Sequence, residues 1–457
     1  MGATYNSLER QRLDAPKCHP HTRVAVINRL ISWIKGEIYL GALILWLYGA
    51  AGAGKSAIAH SLAEICEKDG FLLATFFFWK TVAERSTIDR FIATIAYQIT
   101  YAIPLLRPIV ENALESDPMI FQKSIDTQLF VLVIEPLKLL HSAGFNFKGS
   151  PFVIIIDGLD ECHGTGIQCG LVKSLAAAFH YSPLRICILI ASRAEVHLQF
   201  AFNSFSLQPH LSRLALSDKY SPEEDIYRFL NDSFAKIRGE HPLAFYIPSA
   251  WPSADVLREL TRKSSGQFIF ASTTVKYIGG DPHELPTRRL DVICRLQPPS
   301  GQEDLPYAEL NSLYKYVLSN VRDIEKVKLI LGALIIVPPV VHTTKYTVLI
   351  QSTAQMDTLF FWQPGGTQAC LGQLASIIEC HANGWISILH ASLSDFLLDP
   401  SRSHQFYLCR EHVLGDCMAF GLRHIHQSDL SFDSMSFPPS QKFVLQVLTC
   451  NMLYASL

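Results

Sequence analysis

Residues 43–56 constrain the fold of this chain more than any other stretch of its sequence. The stretch begins with an apolar run, residues 43–48, which is far too short to span a membrane. A turn rich in glycine and alanine follows and fits the pattern G-x-x-x-x-G-K-[ST], whose fixed positions are Gly49, Gly54, Lys55 and Ser56. Because glycine and alanine leave room for backbone N–H groups to point inward, such a turn forms a nest for phosphate groups. The sequence therefore predicts a buried strand that ends in a phosphate-binding loop.

The residues of this loop have separate expected roles. Backbone N–H groups and the positive end of the next helix attract the phosphates. The ammonium group of Lys55 can reach the β- and γ-phosphates, and the hydroxyl of Ser56 can bind Mg²⁺. The candidate phosphate-binding residues of the loop are Gly49, Gly52, Ala53, Gly54, Lys55, Ser56 and Ala57.

The sequence after the loop supplies the context that this motif needs. Ile58, Leu62 and Ile65 recur at helical spacing, and Gly70 stands where a helix should stop. Residues 71–78 then have the apolar character of a second buried strand. Strand, loop, helix and strand form one βαβ unit, which argues against the alternative of a glycine-rich turn that binds no ligand.

Further apolar runs predict the rest of a sheet. Residues 152–156 and 186–191 indicate buried strands, residues 171–179 a helix between them, and residues 211–216 a closing strand. Strands that are apolar throughout and alternate with helices indicate a parallel sheet covered on both faces. The predicted fold class is α/β: a parallel sheet of the P-loop NTPase type, followed by an α-helical domain and a winged-helix-like domain.

Acidic residues follow the predicted strand at 152–156 and suggest the other half of a site. Open parallel sheets bind ligands at the carboxyl ends of their strands, where Asp157 stands, so Asp157 and Ser56 are the candidate Mg²⁺ ligands. Asp160 and Glu161 are candidates for polarising a water molecule, with Glu161 favoured. Arg193 follows another strand and is a candidate for contact with the γ-phosphate or a neighbouring subunit, or else a structural arginine. A zinc site at Cys162, His163 and Cys169 lacks a fourth ligand at suitable spacing.

The remainder of the chain is predicted to be mainly helical. Helices are expected near residues 24–34, 225–238 and 253–263, with Ser253 as an N-cap and Gly266 after the last. Two or three helices to about residue 336, short strands within 375–390 and a helix at 391–398 suggest a winged-helix module; residues 297–302 suggest a linker. We therefore divide the chain into a polar lead-in (1–20), a nucleotide-binding domain (21–217), a helical domain (218–300), a winged-helix-like domain (301–425) and a tail (426–457).

Composition excludes some classes of function. A net charge of −2 argues against a general electrostatic grip on nucleic acid. The 11 cysteines are scattered without a C-x-x-C pair, which favours a reducing compartment, and we expect a cytoplasmic protein. The N-terminus does not resemble a signal peptide, and the most apolar later run, 329–341, contains Pro338 and Pro339, so no membrane segment is expected. Only 18% of residues are charged, which fits either a partner-covered surface or a large aromatic core.

Several short stretches together resemble one family. They are WLYGAAGAGKSAIA (46–59), FFF (76–78), IDGLDEC (156–162), IASR (190–193), WPS (251–253), SSGQFI (264–269) and LHAS (389–392). The chain resembles NACHT-type signal-transduction (STAND) NTPases, NLR-like proteins, and specifically basidiomycete fungal proteins with a nephrocystin-like NACHT module. The resemblance extends from about residue 18 to about residue 407.

The resemblance implies ATP or ADP as the nucleotide, with GTP as the alternative, and Mg²⁺ as the metal. It also implies helical and winged-helix domains that close over ADP, with His390 as a phosphate contact, and self-association through the NACHT module with downstream effector proteins as further partners. The chain departs from the family at Trp79 and Lys80, where an arginine is common, and at residues 266–268, which lack a proline that touches adenine in related switches. Effector and repeat domains are usual in the family, so the chain is expected to be a short member or a truncated product.

Three functions remain open at this stage. The favoured one is a nucleotide-dependent signalling switch with weak nucleoside-triphosphatase activity, as in fungal innate-immunity-like or cell-death signalling. The alternatives are a small-molecule kinase built on the same loop and a scaffold that has lost nucleotide exchange. A kinase needs an acceptor pocket and a closing lid, whereas the predicted helical and winged-helix domains favour the switch.

Overall fold

The computed structural model describes residues 3–6, 16–39, 41–80, 82–145, 151–180, 182, 185–204, 210–216, 220, 222–298, 307–337 and 352–427. The chain divides into two compact units, Met1–Asp225 (unit 1) and Ile226–Leu457 (unit 2). Most of the predicted linker at 297–302 and of the predicted tail at 426–457 lies outside the described residues. Among the described helices, none has both the length and the apolar character needed to cross a membrane.

Unit 1 is built on a parallel sheet. Its strands are β1 (Ile44–Tyr48), β2 (Leu72–Phe77), β3 (Phe152–Asp157), β4 (Ile186–Ser192) and β5 (Leu211–Ala215). The spatial order is β2-β3-β4-β1-β5, and every neighbouring pair is parallel. The predicted α/β fold class of the P-loop NTPase type is therefore confirmed.

Helices cover both faces of this sheet. They are α1 (Val24–Lys35), α2 (Lys55–Lys68), α3 (Ala83–Ser86), α4 (Phe91–Ala102), α5 (Arg107–Ser116), α6 (Ile125–Leu129), α7 (Glu135–Ser142), α8 (Thr165–His180) and α9 (Val196–Phe202). On one face Ile154 and Ile188 belong to a core shared with α4 and α8, and on the other Ile155 and Leu189 belong to a core shared with α1 and α2. Alternate residues of each strand thus face opposite cores, which is why the strands are apolar throughout.

Two features of unit 1 differ from the sequence expectation. The helix predicted at residues 24–34 is present as α1, but its first residue, the apolar Val24, is 48% exposed, whereas Trp33 is fully buried and its indole N–H donates to the Ala42 carbonyl. Part of the expected polar lead-in lies along the edge strand: Phe77 N–H donates to the Ala3 carbonyl at 3.0 Å, and Tyr5 is buried. These early residues cover backbone groups of β2 that an edge strand leaves unpaired.

The described residues of unit 2 form helices and a hairpin. A further helix, α10 (Pro222–Glu240), begins in unit 1 and continues beyond residue 225. The later helices are α11 (Ala254–Ser264), α12 (Phe268–Gly279), α13 (Pro286–Arg295), α14 (Ala308–Ser319), α15 (Ile324–Ile335), α16 (Thr353–Leu359), α17 (Gly366–Leu371), α18 (Ala391–Leu397), α19 (Pro400–Ser403) and α20 (Arg410–Gln427). The hairpin strands are β6 (Ile378–Cys380) and β7 (Ile386–Ile388).

Local sequence signals in unit 2 correspond to observed structure. Ser253 caps α11, since its side chain accepts a hydrogen bond from Val256 N–H. The hairpin is antiparallel, with Ile378 opposite Ile388, and Gly384 of its turn has φ +82°. The predicted short strands and the helix after them are therefore confirmed. The division of the chain into a helical and a winged-helix-like domain stays a prediction.

Candidate functional site

The loop between β1 and α2 has a backbone that depends on its glycines. Gly52 and Gly54 have φ values of +78° and +91°, a region that residues with a side chain rarely adopt. At Gly49 the conformation is ordinary, but an added Cβ would lie 3.1 Å from the Leu216 Cβ. The loop is therefore a tight turn, as the nest expected from the sequence requires.

Lys55, the first residue of α2, folds its side chain back over this loop. Its Nζ donates hydrogen bonds to the carbonyl oxygens of Gly49 and Ala50, both at 2.9 Å. Desolvation lowers the pKa of Lys55, and the Arg193 charge lowers it further. Three carboxylates that act on Lys55 oppose this effect and belong to Asp160, Asp157 and Glu161. The structure therefore places the predicted acids and the loop lysine within electrostatic range of one another.

The sheet order explains how these residues come together. Strand β4 lies between β1 and β3, with Tyr48 paired to Ser192 and Ala191 paired to Asp157. The carboxyl ends of parallel strands lie at the same edge of a sheet. The phosphate loop after β1, Arg193 after β4 and Asp157 at the end of β3 therefore all lie at that edge. Asp157 is 4% exposed, and Ser56 is half-buried in the first turn of α2.

A sharp turn after β3 directs the acidic residues. Gly158 adopts φ +71°, and an added Cβ would lie 3.0 Å from the Phe78 carbonyl oxygen. A short 3₁₀ turn, Leu159–Glu161, follows and carries both remaining acids. The glycine in the DGLDE run is thus needed for the close approach of two neighbouring strand ends.

Asp160 and Glu161 have different partners. Asp160 Oδ1 accepts a hydrogen bond from Arg193 N–H at 3.0 Å, and its Oδ2 lies 3.2 Å from Arg193 Nε. Glu161 Oε2 accepts from Lys80 N–H at 3.1 Å. Desolvation raises the pKa of Glu161 to about 7, with help from Asp160 and Asp157, while the Lys80 hydrogen bond and Arg193 oppose the shift. Asp160 therefore positions Arg193. The pKa of Glu161 lies near neutral pH, which suits a general base.

Sequence reasoning missed several supporting residues. Lys80 was noted only as a departure from the family, yet its backbone N–H holds Glu161. The buried guanidinium of Arg85 lies 4.7 Å from the centre of the Trp79 ring. Gln168 of α8 donates to the Cys162 carbonyl at 2.6 Å and so secures the acidic turn. The backbone donor of Lys80 leaves no signal in the sequence, and the side chains of Arg85 and Gln168 belong to no motif.

Two other predictions from the sequence concern zinc at Cys162 and the phosphate contact of His390. The described residues contain no group of three or more His, Cys, Asp and Glu side chains that could hold a metal ion, so they do not support zinc at Cys162. In unit 2, His390 is the N-cap of α18, and its Nδ1 accepts a hydrogen bond from Ser392 N–H at 3.1 Å. Because Nδ1 accepts, the neutral ring carries its proton on Nε2. The phosphate contact of His390 stays a prediction.

Comparison with known proteins gives one family match. The family model described as "Nephrocystin 3, N-terminal" matches residues 29–193. This range includes the phosphate loop and the stretch from Asp157 to Arg193. A search of curated proteins gives no match.

Several solved structures are similar in architecture at low sequence identity. A STAND protein with a tetratricopeptide repeat sensor from Pyrococcus horikoshii has 14% identity and a TM-score of 0.44, and the alignment covers 92% of this chain and 47% of that one. The chain thus spans about half the length of that protein. Cdc6p from Pyrobaculum aerophilum has 13% identity and a TM-score of 0.35, with 84% and 96% covered. A Drosophila ORC chain, from a complex with DNA, has 11% identity and a TM-score of 0.33, with 78% and 84% covered.

Proposed function

We propose that this chain is a nucleotide-dependent switch that binds ATP or ADP with Mg²⁺ and hydrolyses ATP slowly. The observation that carries the proposal is the shared sheet edge, where the glycine-dependent loop and Lys55 stand within electrostatic range of Asp157, Asp160 and Glu161. A loop of backbone N–H groups beside an ammonium group suits a polyphosphate, and adjacent carboxylates suit the cation that accompanies it.

The residues present fit the nucleotide and the metal by their chemistry. The loop's N–H groups and Lys55 would hold the phosphates. Mg²⁺ is usually bound through one or two carboxylates together with phosphate oxygens, and Asp157 and the Ser56 hydroxyl would hold it here. When bound, Mg²⁺ supplies charge neutralisation for the phosphates. The Lys55 ammonium now donates to two loop carbonyls, and it would exchange these hydrogen bonds for ones to phosphate oxygens on binding.

Hydrolysis would depend on the acidic turn. Glu161, with a pKa near 7, would accept the proton of a water molecule. Arg193, held by Asp160 through two contacts, would place a positive charge beside the phosphates. The expectation of slow turnover rests on the resemblance to signal-transduction NTPases.

The finer parts of the proposal rest on the resemblance to NACHT proteins. They are self-association through unit 1 in the ATP form, contact with downstream effector proteins, and a role in fungal innate-immunity-like signalling. A P-loop kinase and a scaffold remain as alternatives, and GTP remains as the alternative nucleotide. The helices and hairpin of unit 2 support the switch over the kinase, which needs a lid and an acceptor pocket.

The first test is the nucleotide released when the purified protein is denatured, followed by calorimetry with Mg-ATP and Mg-ADP. Lys55→Ala should weaken binding by about 10- to 100-fold, since hydrogen bonds to charged groups contribute about 1.5–3 kcal/mol. Lys68→Ala, at the exposed end of the same helix, is the matched control and should bind like the parent. Equal affinities for parent and Lys55→Ala would contradict the phosphate site. Phosphoryl transfer to an added acceptor would favour the kinase.

A further inference from the structure

A buried arginine lies outside the motif residues. Arg23 is 4% exposed and directly precedes α1, with φ +57°, and His21 in the same turn has φ +62°. Left-handed backbone at a residue other than glycine costs roughly 1–2 kcal/mol and persists where the surroundings determine it. Burial also disfavours the charge and lowers the pKa of Arg23. A buried guanidinium needs hydrogen-bond and ion-pair partners that offset these costs.

One partner of Arg23 is the phosphate loop. Its Nη2 donates to the Ala53 carbonyl oxygen at 2.9 Å, and its Nε lies 4.0 Å from the position of a Cβ added to Gly54. In a trans peptide the C=O and N–H bonds point in opposite directions. A carbonyl of Ala53 held by Arg23 therefore turns the Gly54 N–H away from the guanidinium, and the orientation of that N–H decides how the loop presents it to an anion.

The second partner is Asp225. Its Oδ2 accepts a hydrogen bond from Arg23 N–H at 2.9 Å and lies 4.0 Å from Arg23 Nε. The Asp225 charge opposes the effect of burial on the pKa of Arg23. Asp225 lies in the first turn of α10, where the positive end of the helix dipole also stabilises a carboxylate. The helix begins in unit 1 and runs on to Glu240.

The turn that carries Arg23 is itself fastened to the loop helix. Cys18 N–H donates to Ser61 Oγ on α2 at 3.0 Å. Within the turn, Thr22 N–H and its hydroxyl both donate to the His19 carbonyl, at 3.0 and 2.7 Å. Arg23 is thus held against the loop, and a shift of the Ala53 carbonyl would change the contacts of Arg23 with Asp225.

We propose that Arg23 is a positioning residue of the phosphate loop and that Asp225 links it to α10, so that ligand binding at the loop and the order of the first turn of α10 are energetically coupled. The proposal rests on the proposed nucleotide function. Coupling of this kind is reciprocal: whatever orders the start of α10 also strengthens binding at the loop.

The test compares four proteins: the parent, Arg23→Lys, Asp225→Asn and a control, Arg185→Lys. Arg185 also donates to carbonyls, those of Ile34 and Trp33, but at the opposite end of α1. Lysine keeps the charge and loses the planar fork, so both arginine variants lose the same chemistry at different places. The measurements are the Kd for Mg-ADP by calorimetry and the amide hydrogen exchange of residues 222–240 with and without Mg-ADP.

We expect ADP to slow exchange in the first turn of α10 in the parent and in Arg185→Lys. In Arg23→Lys, ADP binding should weaken by about 10-fold, within the usual range of coupling energies, and the ADP-dependent slowing should disappear. Asp225→Asn should also lose the slowing, with a smaller change in affinity, because the loop contact of Arg23 remains. A merely structural arginine would lower the melting temperature and leave the ADP-dependent difference intact.

The outcomes separate this proposal from the nucleotide function. A parent that binds no nucleotide would overturn the proposed function. A parent that binds ADP without slowed exchange at the start of α10, or variants that match Arg185→Lys in both measurements, would overturn the coupling alone. Circular dichroism melting checks the fold of each variant. Should Arg23→Lys fail to melt cooperatively, Asp225→Asn decides the question by itself.

Discussion

Glu161→Gln is the substitution that tests the proposed chemistry most directly. Glu161 Oε2 accepts a hydrogen bond from Lys80 N–H, and the glutamine amide oxygen can accept the same bond. The change therefore keeps the shape and the acceptor of this hydrogen bond, and it replaces the ionisable carboxyl group with a neutral amide. Two separate consequences follow, one for stability and one for turnover.

The stability effect is set by the raised pKa of Glu161, which lies at about 7 instead of 4.5, chiefly through desolvation. Each pKa unit of this difference corresponds to about 1.36 kcal/mol, so the largest possible effect on the free energy of unfolding is about 3 kcal/mol. The Glu161 side chain is partly exposed, and solvent screening reduces this effect to about half. Between the two pKa values the folded state binds more protons than the unfolded state. The parent therefore loses this stability as pH rises from about 4.5 through about 7.

The measurement is urea unfolding of parent and variant at pH 4.5 and pH 8, alongside ATP turnover at both pH values, conditions that bracket the shifted pKa. Glu161→Gln should gain about 1–3 kcal/mol over the parent at the higher pH and almost nothing at the lower one. Turnover of the parent should rise as Glu161 ionises, and the variant should be slower by about 10²–10⁴. Glu67→Gln, an exposed acid on α2, serves as the control for surface charge.

Two results would refute this reasoning. A variant whose stability follows the parent at both pH values would contradict the raised pKa, and unchanged turnover would contradict the role as a base. On the switch proposal, the slow variant should also self-associate more than the parent in excess Mg-ATP, because it stays longer in the ATP form. A slow variant that remains monomeric in size-exclusion chromatography would favour the catalyst or the scaffold.

Further predictions concern the metal and unit 2. Asp157→Asn should weaken Mg²⁺-dependent nucleotide affinity while leaving metal-free affinity near that of the parent, because a hard cation loses a charged oxygen ligand; calorimetry with and without Mg²⁺ measures this, and an equal loss in both conditions would exclude a metal role. His390→Ala should speed the release of ADP if His390 contacts a phosphate, and stopped-flow release of a fluorescent ADP measures it; equal rates would leave His390 as the N-cap of α18.

The parts of unit 1 that were predictable are those that short-range patterns specify. Apolar runs identify strands buried on both faces, and the glycines of the loop and of the DGLDE run are required locally by left-handed backbone at Gly54 and Gly158. The fold class follows from the alternation of strands and helices. The order of the strands does not, because nothing in the local sequence says that β4 lies between β1 and β3. That pairing brings Arg193 beside Asp160.

Residues that the sequence did not reveal act through the backbone or against expectation. Lys80 holds Glu161 through its N–H group, which every residue but proline possesses, so its identity carries no signal. Arg23 lies in a polar stretch, and arginine is rarely buried, so an exposed position is the natural expectation. The helices between β2 and β3 carry no motif, although the helical spacing of Ile92, Ile95 and Ile99 would have indicated one of them.

The carbonyl groups of the phosphate loop need more hydrogen-bond donors than Lys55 alone supplies. A loop that turns N–H groups toward an anion must turn carbonyl groups away from it, and buried carbonyls need donors. Arg23 donates to the carbonyl of the buried Ala53 at the end of the loop, whereas Lys55 donates to those of Gly49 and the exposed Ala50 at its start. A lysine that moves to a phosphate gives up its carbonyls, although Ala50 keeps a bond from Ala53 N–H at 3.3 Å. Arg23 is the donor that stays with the loop when Lys55 leaves it, so a shift of the Ala53 carbonyl on anion binding would reach Asp225 through Arg23.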